Sequence, residues 1–385
     1  MILGIDATNL RLGGGITHIA ELLRSVDVKK YGISKVIIWG GIEALESIKN
    51  QSWLKKVNPS DLNRGLLKRT LWQLFKLTSA AKSFNCDLLF IPGGTYLGSF
   101  RPFITINQNL LPFEWSQLKR YGWTLTSFKL LLLRWTQSLT FNNADGVIFL
   151  SKYANKIVSK VAGPFTGKTI IIPHGISAQF KVESREHKSI KEFSNKNPFN
   201  ILYVSIIDEY KHQWNVIRGV DQLRQKTKYP LSINLVGPAY RPSLKRLRRL
   251  IQKFYPNESW IRYHGSVPYN QLKKIYVEAD LGIWASSCET FGMILLEKMV
   301  ACLPIACSNY NPMSQILGDG GVYFDPEKPD QISDSLEQLV NSPKLRKLNA
   351  NIAYERTKKY SWESCANKTF SFIKIIFSES ISKKN

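Results

Sequence analysis

"SSCETFGMILLEKMVACLPIA", residues 286–306, holds in miniature the pattern that decides the fold. The run leading into it, "ADLGIWAS" (279–286), is a short apolar block that reads as a buried strand. "SCETFG" (287–292) is the connecting turn, and "MILLEKMVA" (293–301) has helical character. Leu303-Pro304 ends that helix and begins the next strand, "LPIACS". Strand, loop, helix and strand in succession is the repeating unit of a parallel sheet covered by helices.

The same stretch spends two carboxylates on a segment otherwise built for burial. Glu289 lies in the loop, at the carboxyl edge of the sheet, where open α/β sheets bind ligands. Gly292 lets backbone approach a ligand closely. The N–H groups of about residues 292–295, at the helix start, make an anion site aided by the helix dipole. Glu297 follows about one turn later, roughly 6 Å deeper. Amides for a diphosphate, with one carboxylate for sugar hydroxyls and the other for ribose, suit a sugar nucleotide. The plain alternative is a glutamate that only complements the helix dipole beside a second on a solvated loop.

Working outward, further strands read from "MILGID", "KVIIWG", "DLLFIPG", "FITIN", "GVIFLS" and "TIIIPHG", then "FNILYVSI", "LSINLVG" and "GVYFD". Continuous Val/Ile/Leu runs of this kind indicate parallel sheet buried on both faces. A polar stretch, "SREHKSIKEFSNKNPFN" (184–200), separates the two groups. The 385 residues therefore divide near 175–195 into two α/β domains, 1–175 and 176–360.

The net charge of +24 points to an anionic partner: nucleic acid, a membrane surface or an acidic substrate. The five cysteines are scattered without a C-x-x-C, which argues against a disulfide framework or a zinc site and for a reducing compartment. "MILGIDATN" lacks the layout of a signal peptide, and no apolar run is long enough to span a bilayer. The expectation is a cytoplasmic protein, peripheral on the inner face of the plasma membrane.

The run Glu289-Thr-Phe291-Gly292-Met293-Ile294-Leu-Leu-Glu297, followed by Ala301-Cys302-Leu-Pro304, resembles the E-x-F-G-x-x-x-x-E signature of glycosyltransferase family 4, retaining enzymes of the GT-B fold. The resemblance extends through "IIIPHGISAQF" (170–180), "ILYVSIIDEYKHQWNVI" (201–217), "LVGP" (235–238), "YHGSVPYNQLKKIYVEADLGIWAS" (263–286) and "GDGGVYFDP" (318–326). "ADGVIFLSKYA" and "QNLLPF" look like the lipopolysaccharide, O-antigen and exopolysaccharide branch.

The resemblance implies two Rossmann-like domains facing across a cleft, acceptor on the first and donor on the second. It further implies that "YSWESCANKTFSFIKIIF" (about 361–378) returns as a helix to the first domain. Glu289 takes the place of the family glutamate beside the anomeric carbon, and Glu297 that of the ribose-binding one. Phe291, Gly292, Met293 and Ile294 line sugar and diphosphate with their backbone. Lys211 takes the place of the diphosphate-neutralising lysine.

Near the N-terminus, "NLRLGGGITHIAELL" fails the G-x-G-x-x-G dinucleotide pattern, because position 18 is His. The resemblance places Gly14 and Gly15 opposite the donor phosphates, although a tight turn explains the glycines equally well. His18 reads as a packing residue. Ser205 stands where family members often carry an arginine. Asn107, Gln108 and Asn109 stand where many carry a histidine, and their amides can bind acceptor hydroxyls but cannot act as a base. Cys302 replaces a glycine and Lys298 an alanine. No Asp-x-Asp and no metal-ligand spacing occurs, so the expected chemistry needs neither metal nor cofactor.

"GLLKRTLWQLFKL" (65–77) gathers Leu67, Leu71, Leu74 and Phe75 on one helical face, with Lys68, Arg69, Trp72 and Lys76 opposite. The Trp-and-Lys face suits lipid headgroups. "YRPSLKRLRRLIQKF" (240–254) is a second basic amphipathic helix, whereas "FKLLLLRWTQSL" (128–139) is apolar all round and reads as core. The expected partners are a nucleotide-diphosphate sugar, a polyprenyl-diphosphate-linked or polysaccharide acceptor and an anionic membrane. No nucleic-acid-binding module is recognisable. The reading is a retaining hexosyltransferase of bacterial surface polysaccharide biosynthesis, with GDP-mannose heading the donors. The alternatives are a non-catalytic sugar-nucleotide binder and a basic nucleic-acid-binding protein.

Overall fold

A computed structural model describes residues 1–10, 13–182, 185–256 and 259–382. The chain divides into two compact units, one of Met1–Gly175 with the segment from Tyr360 on, the other of Ile176–Lys359. Unit 1 contains β1 (Ile2–Ala7), β2 (Lys35–Gly40), β3 (Leu54–Val57), β4 (Leu88–Ile91), β5 (Phe103–Asn107), β6 (Gly146–Phe149) and β7 (Lys168–Ile171). They pair in parallel in the order β3-β2-β1-β4-β5-β6-β7. Unit 2 contains β8 (Phe199–Val204), β9 (Leu231–Val236), β10 (Ile261–Tyr263), β11 (Leu281–Trp284), β12 (Ile305–Ser308) and β13 (Gly321–Phe324). Their order is β10-β9-β8-β11-β12-β13, also parallel. Each sheet is Rossmann-like, and its strand order reverses once, between β1 and β4 in unit 1 and between β8 and β11 in unit 2.

Central strands such as β4, β6, β11 and β12 are buried along their whole length, as continuous apolar sequence requires when helices cover both faces. Strands β3 ("LKKV") and β10 ("IRY") are edge strands that the sequence reading missed. They are short and basic, because only one of their sides is paired and their side chains are only partly buried.

The last helix, Trp362–Ser382, packs within unit 1. Its Asn367 accepts a hydrogen bond from the Tyr31 hydroxyl at 2.7 Å. Phe372 lies so close to Gly146 that a Cβ there would come within 2.8 Å of the ring. Gly175 is held to glycine for the same reason, since its Cβ would meet the Trp362 backbone N at 2.2 Å.

Two helices correct the sequence expectation. In Leu66–Phe75 the buried residues are Arg69, Trp72 and Gln73, while Leu66, Leu67, Leu71, Leu74 and Phe75 are exposed. Polar partners at the sheet edge draw the mixed face inward: Arg69 donates to the Thr8 carbonyl at 3.3 Å, and Gln73 donates to the Asp6 carboxylate and to the Thr95 carbonyl. Trp72 is therefore part of the packing and not available to headgroups. Helix Leu125–Asn143 buries Ser127, Leu130, Gln137, Thr140 and Phe141, which leaves Phe128, Leu131, Leu132 and Trp135 exposed rather than in the core. None of the five cysteines forms a disulfide. Among the described residues, no helix is long and apolar enough to cross a membrane.

Candidate functional site

The reversal between β8 and β11 makes their two following loops neighbours. After β8, the Asp208 side chain accepts from the Glu209 N–H at 2.8 Å and starts a single 3-10 turn, Glu209–Lys211. His212, at φ 52°, then redirects the chain into helix Gln213–Thr227. After β11, Ser287 donates its N–H to the Tyr210 carbonyl at 2.9 Å, and the His212 Nε2 and Ser287 Oγ atoms lie 2.9 Å apart. These bonds staple one loop to the other.

Lys211 sits in that junction. Its carbonyl accepts from the buried Tyr203 hydroxyl at 2.6 Å, and its ammonium lies 4.3 Å from the Trp284 ring centre and 4.9 Å from that of Tyr210. The ammonium donates to Glu289 Oε1. The lysine side chain is only 5% exposed and the glutamate 16%, so the pair is largely withdrawn from water. An ammonium in such a place attracts any anion that can displace the carboxylate.

Beyond Glu289 the chain turns through Gly292, at φ 100°, into helix Met293–Val300. That φ is open to glycine at no cost and strained for other residues. The Leu295 N–H already bonds the Gly292 carbonyl at 3.0 Å, which trims the expected run of open donors to residues 292–294. Met293 and Ile294 are partly exposed, whereas the Phe291 side chain is buried, so Phe291 can contribute only backbone.

Glu297 is buried, and its carboxylate is not open. Oε2 accepts from the Tyr276 hydroxyl at 2.7 Å and Oε1 from Tyr269 at 3.5 Å. Burial pushes its pKa up to about 7, against the opposing effect of the Tyr276 hydrogen bond. Its neighbour Lys298 is wholly enclosed, with Nζ 4.6 Å from the Trp284 ring centre and no hydrogen-bond partner among the described residues. Burial brings that lysine down to about 7. Ser205 does not line the open side of the site, because it is buried and its hydroxyl accepts from Gln213 at 3.0 Å.

The sequence reading missed Tyr203, Trp284, Tyr269 and Tyr276, the aromatic side chains that surround these charges. Nothing in their local sequence separates them from ordinary core residues.

In unit 1, Gly13 at φ 85° opens helix Gly14–Arg24. A Cβ on Gly15 would come to 3.0 Å from Leu10 and 3.7 Å from Gln108 Oε1, so the glycine loop and the "NQN" loop after β5 adjoin. Asn107 does not face a ligand: it is fully buried, with Nδ2 donating to the Asn109 carbonyl at 3.1 Å. Gln108 donates to the Pro92 carbonyl at 3.2 Å, and Asn109 is exposed, its Oδ1 accepting from the Leu111 N–H. His18 is a packing residue, its Nδ1 2.8 Å from that of His174, with Trp362 edging both rings. Burial lowers His18 to about 4 and His174 well below its ordinary value, so neither carries charge at neutral pH. Among the described residues, no three His, Cys, Asp or Glu side chains gather as a metal site.

Residues 184–356 match the family model described as glycosyl transferases group 1, and the chain carries a domain of that kind. O-antigen chain mannosyltransferase B of Escherichia coli is 28% identical over 177 residues, 46% of this chain and 45% of that protein. An uncharacterised glycosyltransferase of Methanocaldococcus jannaschii is 23% identical over 239 residues, 59% of this chain and 65% of that one. The matches thus span less than two thirds of either relative's length. Among solved structures, sucrose-phosphate synthase of Thermosynechococcus elongatus superposes with a TM-score of 0.76 at 14% identity, covering 98% of this chain and 100% of that one. The lipopolysaccharide-biosynthesis glycosyltransferase WaaG gives 0.67 at 14%, covering 97% and 99%. Anabaena HepE, solved with UDP and glucose, gives 0.70 at 16%, covering 97% and 98%. These likenesses identify the fold as GT-B.

Proposed function

We propose that the chain is a retaining glycosyltransferase that moves a hexosyl group from a nucleotide-diphosphate sugar to a lipid-linked glycan of a bacterial surface polysaccharide. In this reading residues 176–360 bind the donor and residues 1–175 the acceptor. The observation that carries it is the withdrawn Lys211–Glu289 pair at the strand-order reversal, followed at once by a glycine-started helix. The mannosyltransferase relative supports mannose as the sugar and an O-antigen type of acceptor.

Glu289 is the counter-ion of Lys211. A diphosphate bridging Lys211 and the N–H groups of residues 292–294 displaces it, and the released carboxylate turns to the sugar hydroxyls beside the anomeric carbon. The bond from that carbon to the diphosphate oxygen breaks, and Lys211 with the helix start stabilises the charge that grows on the leaving group. The acceptor hydroxyl attacks from the same face and its proton passes to the leaving phosphate oxygen. Glu297 offers ribose the oxygen it now holds only through the long Tyr269 contact. Because a lysine and amides meet the diphosphate charge, the transfer needs no divalent cation, and full loss of activity in EDTA would refute that.

The test is a thermal-shift panel of GDP-, UDP- and ADP-sugars, followed by NMR of the product formed on a polyprenyl-diphosphate glycan. One donor is expected to raise Tm by mass action and give a glycoside of unchanged anomeric configuration. An inverted glycoside or free sugar alone would contradict the proposal, and stabilisation without product would favour the non-catalytic binder.

A further inference from the structure

Lys298 is a buried amine for which the transfer as described has no use. Its side chain runs against β11, where Gly282 makes room for it: a Cβ on that glycine would come to 2.9 Å from Lys298 Cδ. Neither its Nζ nor the Trp284 Nε1 has a hydrogen-bond partner among the described residues, and both side chains are enclosed. An ammonium in such a place lacks the hydrogen bonds that offset its loss of water. The Trp284 ring joins the amine to the site. The ring centre is 4.6 Å from Lys298 Nζ and 4.3 Å from Lys211 Nζ, so one indole touches both amines. Tyr203, whose hydroxyl donates to the Lys211 carbonyl, has its ring centre 6.0 Å from Lys298 Nζ.

Several groups set the charge of this amine. Glu297 is its neighbour on helix Met293–Val300, Lys211 and Glu289 lie on the loops after β8 and β11, and Cys307 lies on β12. Burial lowers the amine to about 7, Glu297 opposes that, and the Lys211 charge adds to it. Burial also raises Cys307 and Tyr203 far above their ordinary values, so neither bears charge. While Glu289 is paired with Lys211, those two charges largely cancel at Lys298. A diphosphate changes the balance, because it brings more negative charge than Lys211 can neutralise and frees the Glu289 carboxylate beside it.

We propose that Lys298 is a second cation of the diphosphate site, uncharged above neutral pH while Glu289 neutralises Lys211, and protonated when a diphosphate takes that carboxylate's place. The proton comes from solvent, so binding of the ligand and of the proton favour one another. Lys298 acts through charge across Trp284 and is a positioning residue, not one that touches substrate. Acting through protein rather than water, the added charge holds the leaving diphosphate more firmly than a surface lysine would. The inference rests on the diphosphate reading of Lys211.

The full chain is titrated by calorimetry with GDP, UDP and ADP in Tris and in HEPES at pH 8, where their terminal phosphate is already deprotonated. The nucleotide that binds is expected to give different heats in the two buffers, equivalent to uptake of up to about one proton. Its affinity should weaken about fivefold or more between pH 7 and pH 9. In Lys298→Met the uptake and the pH dependence should both disappear. Its Tm at pH 8 should stay at or above the parent's, because an apolar chain replaces an unpaired amine. Lys298→Ala, which shortens the side chain, should lose the uptake in the same way.

Equal heats in the two buffers for the parent would overturn the inference and leave the diphosphate reading standing. So would uptake that both variants retain, since another group would then carry the proton. If none of the three nucleotides binds, the diphosphate reading falls and the inference with it.

Discussion

Lys211 and Glu289 stand 78 residues apart in the chain and close a hydrogen-bonded ion pair at the carboxyl edge of the second sheet. Neither residue could be paired with the other from local sequence. They meet because β8 and β11 are neighbours where the strand order reverses, and because the loops that follow are bonded through Ser287, Tyr210 and His212.

Since a diphosphate and Glu289 compete for one ammonium, Glu289→Gln should separate binding from turnover. Nucleoside diphosphate is expected to bind more tightly by calorimetry, while kcat falls about a hundredfold or more. Lys211→Ala should lose both affinity and turnover, and about 3 kcal/mol of stability from the carboxylate left unpaired. Unchanged affinity and kcat in Glu289→Gln would remove that residue from the mechanism.

Glu297 supplies a pH signature. Its folded pKa is raised from 4.5 to about 7, so its favourable contribution is complete below 4.5 and disappears as pH rises through about 7. The Tm of the parent relative to Glu297→Gln should therefore decline from acid to neutral pH. A difference that does not vary with pH would show that the carboxyl is not buried as described.

The His18–His174 pair acts in the opposite direction. A folded pKa lowered from 6.5 to about 4 contributes stability above 6.5 that is lost as pH falls through about 4. Below pH 6.5 the parent should lose Tm more steeply than His18→Leu, although that variant is less stable at neutral pH by about 1–3 kcal/mol for the unpaired His174 nitrogen. Parallel pH profiles would contradict the assignment.

Cys302 tests backbone strain. It adopts φ 52°, a left-handed conformation that costs a side chain with a Cβ about 1–2 kcal/mol. Cys302→Gly should therefore raise stability in urea by up to about 1 kcal/mol, the gain being reduced by the greater freedom of glycine in the unfolded chain. Destabilisation would mean that the thiol's weak contact with the Val182 carbonyl, at 3.6 Å, outweighs the strain.

The central strands were legible because burial on both faces demands uninterrupted apolar residues. β3 and β10 were not, since an edge strand makes no such demand. Gly292 was legible as a chemical type at the right place in a strand–loop–helix unit, and Lys211 only through the family resemblance. The closed surroundings of Ser205 and Asn107 were not, because their partners Gln213 and the Asn109 carbonyl are fixed by how the loops fold back. Helices Leu66–Phe75 and Leu125–Asn143 show the same limit: their sequences give the composition of each face, but not which face the protein covers.

By itself, the sequence determined the local units of this protein: where strands end, where a glycine opens a helix and which charged side chains stand beside it. Strand order and helix orientation were decided only in the tertiary structure, and with them the pairing of Lys211 with Glu289, the tyrosine hold on Glu297 and the exposure of Phe128, Leu132 and Trp135. The physical reason is that periodicity and residue type are properties of one segment. Contact and burial are properties of two, and depend on what the rest of the chain brings to the other side.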